Sequence, residues 1–205
     1  MLRSLFFSLA LAAMVLPATA RPMTLLALGD SLTAGYGVDP GDAFPVKLEA
    51  ALRVKGHDVT VINAGVSGDT AGDGLARLDW ALGDPVDAAI VELGANDMLR
   101  GLDPAETERA LDQILATLRA KNIPVLLAGM QAAPNLGADY GARFNRLYPK
   151  LTAVHGVLFY PFFLDGVAGQ SALNQPDGMH PNAAGVDEIV KRMVPAVEAL
   201  LAQVR

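Results

Sequence analysis

The sequence contains no cysteine among its 205 residues. This absence excludes a thiol nucleophile, a metal site with cysteine ligands, a framework of disulfide bonds and a lipid-modified N-terminal cysteine. If the protein is exported, its stability must therefore come from its hydrophobic core. A chain of this length is long enough to bury such a core.

Basic residues are scarce, and the sequence has no run of them. It has 16 lysine and arginine residues against 22 aspartate and glutamate residues, which gives a formal net charge of −6. Nucleic acid is therefore not an expected partner. The sequence also lacks a P-loop and a G-x-G-x-x-G motif after a strand, which argues against a nucleotide site. Hydrophobic residues make up 52% of the chain, a composition that predicts a folded protein.

No hydrophobic run is long enough to cross a membrane comfortably. Residues 5–16 are apolar, follow Arg3 and precede Ala18-Thr19-Ala20, which has the small-x-small form of a cleavage site. We therefore expect residues 1–20 to be a signal peptide and residues 21–205 to form one domain. The mature protein is then expected in the periplasm or medium of a bacterium, without a membrane anchor. The alternatives for residues 5–16 are a short anchor or a segment of the core.

Apolar runs of strand length alternate with amphipathic stretches along the rest of the chain. The predicted strands are residues 25–28, 59–62, 88–93, 125–128 and 157–160. The predicted helices are residues 44–55, 71–82, 104–121 and 140–155, and a last helix from Asn182 that Pro195 should bend or interrupt. This alternation predicts an α/β fold, a three-layer α/β/α sandwich around a five-stranded parallel sheet with flavodoxin-like strand order.

Polar residues follow the predicted strands at the points where the strands end. Ser31 follows the first strand, and residues 64–70, 94–97 and 129–131 follow the next three. Because ligands of such sheets bind beyond the carboxyl ends of the strands, we expect these groups to converge on one edge. Ser31 is a candidate nucleophile there, although a serine hydroxyl needs a base to become reactive.

Three histidines could supply that base. His57 lies in a polar turn, where we expect it to be solvated, and His155 lies at the end of a predicted helix. Only His180 has an aspartate three residues before it, Asp177, which could fold back onto the imidazole, hold its tautomer and stabilise its charged form. The alternative is an ordinary loop that enters the last helix, with Asn182 as the N-cap.

A serine that attacks an acyl group also needs donors for the developing oxyanion. Gly68 offers a backbone N–H without a Cβ, Asn96 offers a neutral side-chain amide, and Ser31 offers its own N–H. The alternatives are structural, since Gly68 could serve only a turn and Asn96 could serve only as a cap.

Thr70 competes with Ser31 for the role of nucleophile because it also follows a Gly-Asp pair. Asp73 lies three residues later and precedes an amphipathic run. This is the arrangement of a capping box, which gives Thr70 a structural role. Ser31 is therefore the better candidate.

Four segments, "GDSLTAGYG", "NAGVSGDT", "LGANDMLRG" and "DGMHPNAAG", resemble in order the four sequence blocks of the SGNH (GDSL) hydrolases. The chain is most similar to the bacterial arylesterase, thioesterase I and lysophospholipase L1 subfamily. The resemblance implies Ser31 as nucleophile, Gly68 and Asn96 as oxyanion donors, His180 as base and Asp177 as its partner. It also implies a flavodoxin-like sandwich and neither a metal nor an organic cofactor.

The leading hypothesis is a secreted, monomeric serine esterase that acts on small carboxylic esters or thioesters. Aryl esters, acyl thioesters and lysophospholipids are the expected substrates. One alternative is an O-acetylesterase on polysaccharide or peptidoglycan, and another is a non-catalytic ligand-binding module of flavodoxin type. Aromatic residues make up only 6% of the chain, which favours an acyl substrate over a sugar that would need stacking partners.

Two segments are candidates for an acyl-binding groove. Residues 131–141 follow the fourth strand, and Leu136 and Tyr140 could line one wall. Met98 and Leu99 follow Asn96 and could line the opposite wall. The alternative is that both segments are surface connections whose apolar residues pack into the core.

Overall fold

The computed structural model describes residues 21–204, which form a five-stranded, all-parallel sheet. The strands are β1 (Met23–Gly29), β2 (Val59–Gly65), β3 (Ala88–Glu92), β4 (Val125–Ala128) and β5 (Leu158–Tyr160). Their order is β2-β1-β3-β4-β5, which is the flavodoxin-like order that the sequence predicts. The five predicted strands are all present, with bounds that differ by a few residues at most.

The helices and 3₁₀ turns cover both faces of this sheet. The helices are α1 (Ser31–Ala34), α2 (Phe44–Val54), α3 (Ala71–Ala76), α4 (Leu78–Ala81), α5 (Ala95–Leu99), α6 (Pro104–Ala120), α7 (Ala138–His155) and α8 (Ala183–Leu201). The 3₁₀ turns are Pro40–Asp42, Pro134–Leu136 and Ser171–Leu173. Helix α2 packs against α8 on one side, and α6 packs against α3 and α7, which gives the predicted three layers.

Two helix predictions need correction. The helix predicted over residues 71–82 is broken at Arg77, whose guanidinium donates hydrogen bonds to the Asp69 carboxylate and to the Gly29 carbonyl. Pro195 does not interrupt the last helix, because α8 continues through it to Leu201. The buried face of α8 outweighs the one backbone hydrogen bond that a proline removes.

The position of the strands in the core explains why their sequences are continuous apolar runs. Leu26, Ile90 and Leu127 lie in neighbouring strands and are buried, because helices cover both faces of the sheet. Within residues 21–204, no helix combines the length and hydrophobicity needed to cross a bilayer. The predicted signal peptide lies outside the described residues.

Strand register brings the candidate site together. Gly29, the last residue of β1, lies opposite Gly65 of β2 and Glu92 of β3. The segments that carry Ser31, Gly68 and Asn96 therefore leave the sheet at one level, beside the point where the strand order reverses.

Candidate active site

Ser31 is the first residue of the short helix α1, directly after β1. The Asp30 carboxylate caps this helix by accepting a hydrogen bond from the Leu32 N–H at 3.0 Å. The Ser31 hydroxyl lies 3.0 Å from Nε2 of His180, so an O–H···N hydrogen bond joins residues that are 149 positions apart. This contact is the geometry that a serine nucleophile and its base require.

The second nitrogen of His180 faces Asp177. Nδ1 lies 2.7 Å from Oδ2 of Asp177, and Oδ1 of Asp177 accepts the backbone N–H groups of Met179 at 2.9 Å and of His180 at 3.0 Å. These backbone groups, with the His180 ring, lower the pKa of Asp177 from its ordinary 3.8 to about 2. An ionised carboxylate can only accept, so the ring proton sits on Nδ1 and leaves Nε2 free to accept from Ser31.

Gln175 connects the histidine loop to the segment that follows Ser31. Its backbone N–H donates to the His180 carbonyl at 2.8 Å, and its side-chain amide donates to the carbonyls of Tyr36 at 2.7 Å and Pro181 at 2.9 Å. The Tyr36 ring also contacts the His180 ring, with centroids 4.6 Å apart. Gly37 makes room for the Gln175 side chain, since a Cβ there would lie 2.1 Å from Oε1 of Gln175. Sequence reasoning missed both Gln175 and Tyr36.

Two backbone N–H groups at the site are free to bind an anion. Within residues 21–204, neither the Ser31 N–H nor the Gly68 N–H donates to a protein acceptor. Gly68 has a positive φ of 90°, a conformation that favours glycine, and its carbonyl accepts from the Arg100 guanidinium at 2.5 Å. Because its carbonyl is held by this bond, the loop presents its N–H in a fixed position.

The Asn96 amide is held by two acceptors. Nδ2 donates to Oδ2 of Asp30 at 3.0 Å and to the Asp69 carbonyl at 2.9 Å, which uses both amide hydrogens. To bind the Asn96 amide, an oxyanion must therefore share one amide hydrogen with Asp30 or Asp69, or displace one of these two acceptors. The contacts fix the amide between the segments that follow β1, β2 and β3.

The other candidates have structural partners. Thr70 and Asp73 form the predicted capping box, with the Thr70 hydroxyl 2.7 Å from the Asp73 carboxylate. His155 pairs with Asp112 at 2.7 Å. His57, which we expected to be solvated, lies 3.0 Å from the Glu198 carboxylate. None of these contacts places a second hydroxyl beside a histidine.

The two segments of the predicted groove contact each other in the structure. The Ala133 N–H donates to Sδ of Met98 at 3.1 Å, and the Tyr140 hydroxyl donates to the Leu102 carbonyl at 3.0 Å. The acyl-binding role of these two segments stays a prediction. Met98 is buried, with 7% of its surface exposed, whereas Leu99 is 56% exposed. Tyr140, like Leu136 of the same segment, is partly buried against the core.

The part of the chain that the structure describes contains no group of three or more histidine, aspartate or glutamate side chains that could hold a metal ion. The predicted independence from metals and organic cofactors remains a prediction. The chemistry that the described side chains support by themselves is proton transfer from a hydroxyl to an imidazole, beside N–H groups that can bind an anion.

Comparison with known proteins decides the family. The model of the GDSL-like lipase/acylhydrolase family matches residues 27–187, a range that includes Ser31, Gly68, Asn96, Asp177 and His180. The chain belongs to this family. The hydrolase is 38% identical over 201 residues to Esterase TesA of Pseudomonas aeruginosa PAO1, an alignment that covers 98% of this chain and all of that protein.

Two further relatives support the same assignment. The hydrolase is 40% identical over 179 residues to Thioesterase 1/protease 1/lysophospholipase L1 of Escherichia coli K12, with 85% of each chain covered. The crystal structure of AlinE4, an SGNH-hydrolase family esterase, is 48% identical with a TM-score of 0.76, over 90% of this chain and 99% of that one. The family resemblance and the fold predicted from the sequence are confirmed. The chain is a hydrolase of ester bonds.

Proposed function

We propose that this hydrolase is a secreted serine esterase that forms an acyl-enzyme on Ser31. The observation that carries the proposal is the unbroken hydrogen-bond chain from Ser31 through His180 to Asp177, beside the free N–H groups of Ser31 and Gly68. Residues 1–20 would direct export as a cleaved signal peptide. The mature enzyme would act as a monomer, without a metal or an organic cofactor.

In the first half of the reaction, Oγ of Ser31 attacks the acyl carbonyl carbon while Nε2 of His180 takes the hydroxyl proton. The carbonyl oxygen becomes an oxyanion that the N–H groups of Ser31 and Gly68 and the Asn96 amide stabilise. The ionised Asp177 stabilises the imidazolium that forms. The bond to the leaving group then breaks, and the alcohol or thiol leaves with the proton from His180.

In the second half, water replaces the leaving group. His180 takes a proton from the water molecule, and the resulting hydroxide attacks the acyl carbon of the ester on Ser31. The same donors bind the second oxyanion. Its collapse releases the carboxylic acid and returns the proton to Ser31, which restores the hydrogen bond between Ser31 and His180.

Exposed apolar side chains near the site support acyl and aryl substrates. Tyr36 is 54% exposed and contacts the His180 ring, and Met179 beside His180 is 50% exposed. Leu99 lies one turn after Asn96 on α5, and Arg100, which caps the end of this helix, donates a hydrogen bond to the Gly68 carbonyl. We infer that these side chains contact the apolar part of the substrate. The name of the Escherichia coli relative, which includes thioesterase and lysophospholipase, favours acyl thioesters and lysophospholipids as further substrates.

The test is a kinetic panel of p-nitrophenyl esters of increasing acyl length, together with an acyl-CoA, a lysophospholipid and an acetylated polysaccharide. We expect turnover of the aryl esters and of at least one long-chain substrate. Turnover restricted to acetyl groups on polysaccharide would contradict the proposal and favour an O-acetylesterase.

Replacing Asn96 with alanine should lower kcat by about 10²–10³-fold with little change in KM, because the amide binds an oxygen that becomes charged only during the reaction. Steady-state kinetics on one p-nitrophenyl ester measures both constants. Circular dichroism and the melting temperature control for the loss of the hydrogen bonds to Asp30 and Asp69. A change confined to KM would mean that Asn96 recognises the substrate in its ground state.

Replacing Leu99 with serine should lower kcat/KM for an octanoyl ester by about 10-fold and leave the acetyl ester nearly unchanged, because only the longer chain buries surface against Leu99. Val154→Ser is a matched control, since Val154 is 60% exposed and lies next to the end of α7, at the opposite end of the sheet. Equal losses on both esters would place acyl selection elsewhere.

A further inference from the structure

Two carboxyl groups are buried together behind Ser31. Asp30 precedes Ser31 in the chain and is 0% exposed, and Glu92 ends the neighbouring strand β3 and is 1% exposed. Strand register places them side by side, because Gly29, which directly precedes Asp30, pairs with Glu92. The reaction described above uses neither of them, although charged carboxylates are almost never fully buried without a partner.

The partners of the two carboxyl groups differ. Asp30 accepts the Leu32 N–H with one oxygen and the Asn96 amide with the other, both at 3.0 Å. Glu92 accepts the Thr33 hydroxyl at 2.8 Å with Oε2, while no N–H or O–H donor among residues 21–204 reaches its buried Oε1. Asp30 thus has the contacts of a carboxylate, and Glu92 lacks a donor for one of its oxygens.

Packing keeps the Glu92 carboxyl at this position. A Cβ on Gly29 would lie 2.7 Å from Oε2 of Glu92 and 2.1 Å from the Thr33 hydroxyl. Glycine at this position therefore leaves the space that the Thr33 to Glu92 hydrogen bond occupies.

Burial of the Asp30 and Glu92 carboxyl groups side by side favours a state in which the two share one proton. Burial, and then the charge of Asp30, raise the pKa of Glu92 well above its ordinary 4.5. Burial raises the pKa of Asp30 from 3.8 to about 6, against the lowering effects of the Leu32 N–H, His180 and the Asn96 amide. Two negative charges on neighbouring carboxyl groups without solvent would repel strongly, so we expect the pair to hold one charge at neutral pH.

We propose that Glu92 is a positioning residue that acts as a neutral carboxylic acid, donates its proton to the Asp30 carboxylate and thereby fixes Asp30 as the acceptor for the Asn96 amide. The proposal rests on the role of Asn96 as an oxyanion donor under the proposed function. Glu92 does not touch the substrate. It keeps Asp30 in place and limits the charge behind Ser31 to one.

The experiment compares Glu92→Gln with Glu92→Leu. Glutamine is neutral and can donate to Asp30 while it accepts from Thr33, so kcat should stay within about 3-fold of the unchanged enzyme. Leucine cannot donate, and kcat should fall by about 10–100-fold with KM nearly constant, because Asp30 and Asn96 lose their fixed position. If Glu92→Leu does not fold, the kcat of Glu92→Gln and the infrared measurement described below test the proposal.

Infrared spectroscopy at pH 7 reads the proton directly, without substrate. The unchanged enzyme should show the C=O stretch of a protonated carboxyl group, and Glu92→Gln should lack it. Asp112→Asn, which removes a carboxyl that pairs with His155 at the end of α7, should retain both the band and full kcat.

The absence of the band, or a loss of kcat in Glu92→Gln as large as in Glu92→Leu, would overturn the proposal, since Glu92 would then act as an anion. Different results would contradict the proposed function. If Ser31 were not the nucleophile, Ser31→Ala would remain active, while the infrared band and its loss in Glu92→Gln would be unaffected.

Discussion

Replacing Ser31 with alanine should lower kcat by about 10³–10⁶-fold, because a serine and its base act as one unit and the variant retains only the oxyanion donors. The residual activity that we expect comes from substrate binding and from the oxyanion donors, which Ser31→Ala leaves in place. A fluorophosphonate probe, which reacts with activated serines, should label the unchanged enzyme at Ser31 and should not label the variant.

Ser171→Ala is a suitable control, since Ser171 is exposed in a 3₁₀ turn and should retain full activity and labelling. Mass spectrometry of the labelled protein identifies the modified residue. Labelling at Thr70, or undiminished turnover by Ser31→Ala, would remove Ser31 from the mechanism.

Replacing Asp177 with asparagine should lower kcat by about 10²–10⁴-fold. The backbone N–H groups of Met179 and His180 will keep an oxygen at the position of Oδ1, so the new NH₂ group must face Nδ1 of His180. Nδ1 then becomes the acceptor, the ring proton moves to Nε2, and the imidazole can no longer accept the proton of Ser31. Steady-state kinetics measures the loss, and an unaltered kcat would contradict the role of Asp177.

The pH dependence of stability provides a check on the same variant. The pKa of Asp177 is about 2 in the folded protein against 3.8 ordinarily, so its ionised form stabilises the fold above about pH 4. This contribution is lost as the pH falls from about 4 to 2. The melting temperature of Asp177→Asn should therefore change less over this range than that of the unchanged enzyme.

The sheet could be predicted from the sequence because its strands are buried on both faces and read as continuous apolar runs. The helix break at Arg77 could not, because its cause is a set of hydrogen bonds to Gly29 and Asp69, which are 48 and 8 residues away. Helices α1 and α5 have 4 and 5 residues, too few for a helical period to be visible.

The contact between Ser31 and His180 could be predicted in part. Ligands bind at the carboxyl ends of parallel strands, which indicates that Ser31 lies at the site. The short spacing between Asp177 and His180 indicates His180 as the candidate base. Gln175 and Glu92 were missed because their decisive partners are 139 and 59 residues away, and a lone glutamine or glutamate carries no pattern. The burial of Met98 could not be predicted because an apolar residue next to a site can face either the site or the core.

The N-cap of α8 and the loop before it have a consequence for biosynthesis. Asn182 caps α8 by accepting the Gly185 N–H, so the loop that carries His180 is anchored by a helix formed from the final residues of the chain. A nascent chain that has emerged as far as β4 already contains Ser31, Gly68 and Asn96, yet it lacks His180, the proposed base. We therefore expect ester hydrolysis only after His180 has been synthesised and α8 has docked against α2.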